Sequence, residues 1–223
     1  MPISDDFVAL FNEIGKPTGN SAMTHEELLI LNDIFPKFMV DFYKEYGRCI
    51  MLDGHIQLCH PRDLSGVISL IFGADPVFNH NEFHAFSYSA FGTINIWNKE
   101  LGCCWVYLLE GEVTCRALTK PDKLTKNLEN TIYTPFEISK ELYDVYDINK
   151  KPLFQRAVKK CGPLEIGECY GFVPALGLGG VADIDHVKRM DAAAHFSIVA
   201  QTMNFNLIDV QGYGKSVIVR PIG

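Results

Sequence analysis

The chain has 223 residues, of which 48% are hydrophobic and 21% charged, with 15 Phe and 9 Tyr. This supplies apolar area for a packed core and excludes wholesale disorder. The formal net charge of −7 disfavours a phosphate backbone as direct partner and favours a basic protein, and no segment reaches the roughly 18 uninterrupted apolar residues of a membrane span.

Ser4 or Asp5 is placed to cap a first helix over residues 5–14, where Phe7, Leu10, Phe11 and Ile14 recur three and four apart before Gly15 and Pro17. Thr24 caps the next helical stretch, with Glu27 set for a capping box. Pro36 opens a further one that Gly47 closes, so residues 25–46 read as helical. Residues 48–59 are β-prone around an Asp53-Gly54 hairpin turn, and residues 62–72 return to helical spacing. From Glu82 to Leu118 the pattern alternates as strands do: residues 83–88, 93–97 and 103–109, then a Glu110-Gly111-Glu112 turn into Val113, Thr114 and Cys115. Residues 119–135 are polar, carry Pro121 and Pro135, and are the expected junction between two halves. Beyond it, residues 139–146, 152–161 and 183–203 (most clearly 186–203) read as helices, and residues 216–219 as a weak strand. The expectation is an α+β fold with a largely antiparallel sheet, drawn mainly from residues 48–118 and flanked by helices, in two closely packed halves.

Motifs for chemistry are few. Met1 to Asp6 offers neither a basic nor an apolar leader region, which points to the cytoplasm. The seven cysteines are odd in number and form no CxxC pair, as expected of buried apolar thiols in a reducing compartment. His80 and His84 have helical metal-ligand spacing, with Cys59 and His60 upstream, but His84 falls in an alternating stretch, where residues four apart stand about 13 Å from each other. No metal or cofactor is expected. Leu176-Gly177-Leu178-Gly179-Gly180 lacks both the dinucleotide and the Walker spacing and reads as a turn. No nucleophile elbow occurs, Asp185-His186 reads as a solvated helix face, and His195 as a core histidine. No catalytic residue is expected. Residues 141–147 mix carboxylates with aromatics, the residue types that suit a protein-binding face, although a helix with Leu142, Val145 and Tyr146 inward explains the same pattern.

From Leu153 to Met203 the sequence resembles the C-terminal domain of immunity proteins of type VI secretion systems. The carrying residues are Leu153-Phe154, Gly162-Pro163-Leu164, Tyr170-Gly171-Phe172-Val173-Pro174-Ala175-Leu176, Leu178-Gly179-Gly180, Val187-Lys188, Asp191-Ala192, His195 and Ala200-Gln201. Gly177 stands where alanine is expected. The N-terminal half resembles the GAD-related (GAD-like) domain that precedes it, through residues 38–47, Ala90-Phe91-Gly92 with Trp97, and Gly111-Glu112-Val113. The resemblance implies a GAD-like domain over residues 1–118, the junction over 119–135 and an immunity domain over 136–223. Its motif residues Tyr170, Gly171, Phe172, Pro174, Gly179, Gly180 and His195 are expected to be structural. It further implies a non-catalytic protein that binds the toxin domain of a cognate effector, a basic DNase, at fixed stoichiometry. Charge sign then makes Glu110, Glu112, Tyr143, Asp144, Tyr146 and Asp147 the expected toxin-binding residues. The competing readings are a hydrolase that reverses a toxin-made modification and an adaptor that loads the effector.

Overall fold

The computed structural model describes residues 5–123, 128–212 and 214–223. The cap expected of Ser4 lies outside these residues, as do the side chains of Phe7 and Leu10. The first half begins with α1 (Asp5–Ile14), β1 (Thr18–Ser21), α2 (His25–Ile34) and α3 (Lys37–Tyr46). The capping box forms: the Glu27 N–H donates to Thr24 Oγ1 at 3.2 Å, and the Thr24 N–H donates to the Glu27 carboxylate at 2.8 Å. The helical stretch 25–46 is divided, because Pro36 disfavours helical backbone in the residue before it and Phe35 is extended.

Next come β2 (Arg48–Met51), β3 (Ile56–Leu58), α4 (Pro61–Phe72), β4 (His84–Ser89), β5 (Thr93–Asn98), β6 (Gly102–Tyr107) and β7 (Glu112–Thr114). His60, weighed above as a ligand, caps α4, its Nδ1 accepting from the Arg62 N–H at 3.1 Å. Two short helices, α5 (Arg116–Thr119) and α6 (Thr134–Glu137), fall within and beside residues 119–135. In that stretch Ile132, Tyr133 and Pro135 are buried, as is Phe136 just beyond it.

The second half adds α7 (Phe154–Cys161), β8 (Glu168–Phe172), β9 (Val187–Asp191), α8 (Ala192–Thr202), β10 (Asn206–Gly212) and β11 (Lys215–Pro221). Three expectations fail here for local reasons. Residues 139–146 are not a helix: a 3₁₀ turn, Lys140–Tyr143, gives way to extended chain in which Tyr146 bridges Pro152. Asp144 and Asp147 turn their carboxylates onto nearby backbone N–H groups, a local competition with helical bonding. Residues 183–203 are not one helix. Val187–Asp191 pairs with β8, and Asp191 then caps α8 by accepting from the Ala194 N–H at 2.7 Å. The Asp185-His186 pair accordingly sits in a 3₁₀ turn, Ile184–His186. The sheet also reaches beyond residues 48–118 at both ends, with β1 on one side and β10 and β11 on the other.

That sheet has nine strands in the order β1-β2-β3-β4-β5-β6-β7-β10-β11, every neighbouring pair antiparallel except β7 with β10. The fold is α+β. Helices cover both faces, which is why β4 and β5 are buried along nearly their whole length. On one face α2 and α3 pack Leu31, Phe35, Met39 and Phe42 against Phe86, Trp97 and Phe136. On the other, α4 and α8 pack Leu64, Ile68, Phe72, Phe196 and Val199 against Ile94, Ile96 and Val106. The β8–β9 pair has its own cluster, in which Phe154, Tyr170, Phe172 and Val187 meet Phe91.

Two polar anchors hold the halves together. Gln57 on β3 donates from Nε2 to the carbonyls of Glu165 and Glu168, both at 3.0 Å, and its Oε1 accepts from the Tyr88 hydroxyl at 2.9 Å and the Gly167 N–H at 3.0 Å. Asp75, in the loop after α4, takes both terminal nitrogens of Arg220 on β11 at 2.5 and 2.9 Å, together with the N–H groups of Val77, Phe78 and Gly223. These bonds hold the Asp75 carboxyl far below the usual carboxylate range despite its burial. Among the described residues no helix is long and apolar enough to cross a membrane.

Candidate protein-binding groove

The turn after β4, the β6–β7 turn, the segment 142–145 and the β10–β11 hairpin enclose an open groove of about 390 Å³. Its walls are mixed: Phe91, Leu109, Val145 and Ile208 are apolar, while Glu110, Glu112, Asp144 and Lys215 bring charge. The β6–β7 turn can approach β10 because Gly111 has φ +66°, and the Asn204 carbonyl oxygen occupies the place a Cβ would take. Glu110 and Glu112 therefore stand at the groove beside that turn. Neither makes an ion pair among the described residues, and the surrounding protein pushes both carboxyls above their usual range.

Four of the six expected toxin-binding residues, Glu110, Glu112, Tyr143 and Asp144, line this groove. Their surroundings differ. The Tyr143 side chain is buried, stacked on Trp105 at 5.8 Å, with its hydroxyl donating to the Pro135 carbonyl at 2.7 Å. Asp144 is half-buried and accepts from the N–H groups of Leu153 and Phe154 at 3.0 and 2.8 Å, capping α7. Asp147 lies outside the groove and is buried. The N–H groups of Lys151 and Asn149 donate to it, it pairs with Arg156 at 2.5 Å, and these partners hold its carboxyl below the usual range. Tyr146 is exposed, also outside the groove. The accessible groups are thus Glu110, Glu112 and Tyr146, while Tyr143 and Asp144 build the groove wall and Asp147 braces the chain outside it. Sequence reasoning missed the hairpin side of the groove, Ile208, Val210 and Ser216, because β10 was not foreseen.

The motif residues of the second half sit at packing points. Gly171 lies against the buried His195, whose Nε2 is 2.5 Å from where a Cβ would stand. Burial lowers the His195 pKa, so the imidazole is neutral in the core. Tyr170 donates its hydroxyl to the Gly162 carbonyl at 2.6 Å, Phe172 stacks near Phe91, and the Val173-Pro174 bond is cis. Gly180 lies so close to the Pro174 carbonyl that no side chain fits, and Gly179 has φ +83°. His80 and His84 part company, since His84 opens β4 and His80 lies in the turn before it. Among the described residues no three His, Cys, Asp or Glu side chains gather as a metal ion requires.

The family model of the GAD-like domain matches residues 5–106, and that of the T6SS immunity protein Tdi1, C-terminal, matches residues 132–203. Among solved structures, the chain is similar to the crystal structure of Atu4351 from Agrobacterium tumefaciens, with 28% sequence identity, a TM-score of 0.86 and 96% of each chain covered. No curated protein matches the sequence.

Proposed function

We propose, for a chain that belongs to the two-domain immunity proteins of type VI secretion systems, that it acts in the cytoplasm by binding the toxin domain of a cognate effector, a basic DNase, and blocking it one to one without catalysis. In this reading residues 1–118 form the GAD-like domain, residues 119–135 the junction and residues 136–223 the immunity domain. The observation that carries the reading is the Tdi1-type C-terminal domain, and the groove supplies a place for it to act. Glu110 and Glu112 stand there with no ion-pair partner among the described residues, on a protein of net charge −7, and a nuclease needs basic side chains for its own substrate. Carboxylates that lack a partner in the free protein gain one on binding, which favours association and steers encounter.

The test is a titration of the effector toxin domain encoded beside this chain, with DNA cleavage as readout. Complete inhibition at one equivalent is expected. Full inhibition by a small fraction of an equivalent would instead identify an enzyme that reverses the toxin's modification, and binding only to effector regions outside the toxin domain would identify an adaptor. Within the complex, Glu110→Lys or Glu112→Lys should mainly slow association and flatten its salt dependence. Losing a desolvated partner of a toxin cation should speed dissociation at a cost of about 2–5 kcal/mol.

A further inference from the structure

The two outer strands of the nine-stranded sheet are unequal. β1 is four residues long, Thr-Gly-Asn-Ser, and its pairing with β2 is broken by a register shift. Short, polar, irregular strands are the usual way to blunt an edge. β11 has seven residues and carries Val217, Ile218 and Val219 in succession, 55%, 63% and 52% exposed. A long apolar edge with unpaired backbone groups is a template for another strand.

β11 is also firmly held. The Asp75–Arg220 pair fixes its C-terminal end, and the Arg220 guanidinium lies 5.7 Å from the centre of the Phe78 ring. The apolar run is therefore presented by an anchored strand. Ile218 pairs with Ile208 and Ser216 with Val210. Directly opposed residues share a face of the sheet, and Ile208, Val210 and Ser216 line the groove, so Ile218 stands on the groove side. Val217, opposite Asp209, points to the other face. The groove and the free edge form one continuous surface.

We infer that β11 is a docking edge, to which an extended segment of the effector toxin domain adds as a further strand, its apolar side chains meeting Ile218 and its neighbours and its basic side chains reaching Glu110 and Glu112. The occupant follows from charge: Asp209 on β10 is paired with Lys120, but Glu110 and Glu112 make no ion pair among the described residues, with Lys215 of the groove wall or with any other cation. A second copy of this chain fits less well. Antiparallel self-pairing about Ile218 sets Ser216 against Arg220 and Lys215 against Pro221, a residue with no N–H to donate.

This inference rests on the immunity reading, and its test separates the two. Backbone hydrogen exchange of the wild-type chain is followed with and without the neighbouring toxin domain, catalytically disabled. Slowed exchange across residues 215–221 in the complex is expected. Val217→Lys/Ile218→Lys, at positions already in solvent, should keep the unfolding midpoint and weaken binding about tenfold or more, mostly through faster dissociation. Binding with protection confined to other surfaces, or an edge variant that binds as wild type does, overturns the docking edge and leaves the immunity reading standing. No binding at all overturns both. A homodimer that the lysine variant dissolves, with toxin binding unaffected, assigns the edge to self-association and overturns the inference.

Discussion

Gln57 and Glu112 are polar side chains on the same sheet, and they are treated in opposite ways. At the seam between the halves every donor and acceptor of the Gln57 amide has a partner, three of them backbone groups more than a hundred residues away. At the groove Glu110 is exposed and Glu112 half-buried, neither makes an ion pair among the described residues, and their carboxyls are pushed up rather than held down. A satisfied polar group inside a fold specifies which surfaces meet. A carboxylate without an ion-pair partner at an open groove is available to a cation that a binding partner brings. The contrast separates residues that build this molecule from residues available to another.

The largest effect that would sharpen this contrast is expected at Asp75. Asp75→Ala leaves Arg220 without its carboxylate and several N–H groups without an acceptor, and should lower stability by about 3–5 kcal/mol in urea unfolding. Gln57→Leu comes next. It strands the Tyr88 hydroxyl, the Gly167 N–H and two carbonyls, and about 2–4 kcal/mol should be lost. Toxin binding per folded molecule should stay intact, since Gln57 does not line the groove; a selective loss of binding would break the comparison. Gly171→Ala drives a methyl group into His195 and should cost about 1–3 kcal/mol in thermal or urea unfolding.

The smallest stability effect has the opposite sign. Glu110→Gln/Glu112→Gln should leave the free protein as stable as wild type or slightly more so at neutral pH, while slowing toxin association. The pH dependence divides in the same way. Glu27, bound by Arg48, has its carboxyl lowered from 4.5 to about 2, so its stabilisation is present in full above about 4.5 and is lost as pH falls towards 2. Glu110 and Glu112 have raised values, so folding favours their neutral forms. Their cost is present above the folded pKa and is relieved as pH falls through it. Stability curves of wild type and the double Gln variant should therefore converge on acidification, and a gap that widens would contradict the raised values.

Much of the first half was legible in the sequence because its signals are local. Thr24 and Glu27 lie three residues apart and bond each other, and Pro36 and Gly47 act on their own backbone. The alternation from Glu82 onwards gave β4, β5, β6 and β7. In the second half the same reading failed wherever distant partners decided. Val187–Asp191 is a strand because β8 lies beside it, and Asn206–Gly212 because β7 does. Residues 141–147 have the spacing of a helix, but Asp144 and Asp147 bind backbone that returns after a turn. Of the groove, the acidic turn at Glu110 and Glu112 was readable, and of the hairpin facing it only the strand at residues 216–219 was.

The sequence by itself determined the composition of the core, the caps and breaks of the early helices, the strand-rich middle and the sign of the charge, all properties of single residues or of neighbours a few positions apart. Tertiary structure alone decided that Arg220 reaches Asp75 across 145 residues, that Gln57 closes the seam, and that β11 is left as the long uncovered edge. Pairing across such distances depends on which surfaces meet once the chain has collapsed, and a hydrogen bond or a strand edge has no periodicity to announce its partner.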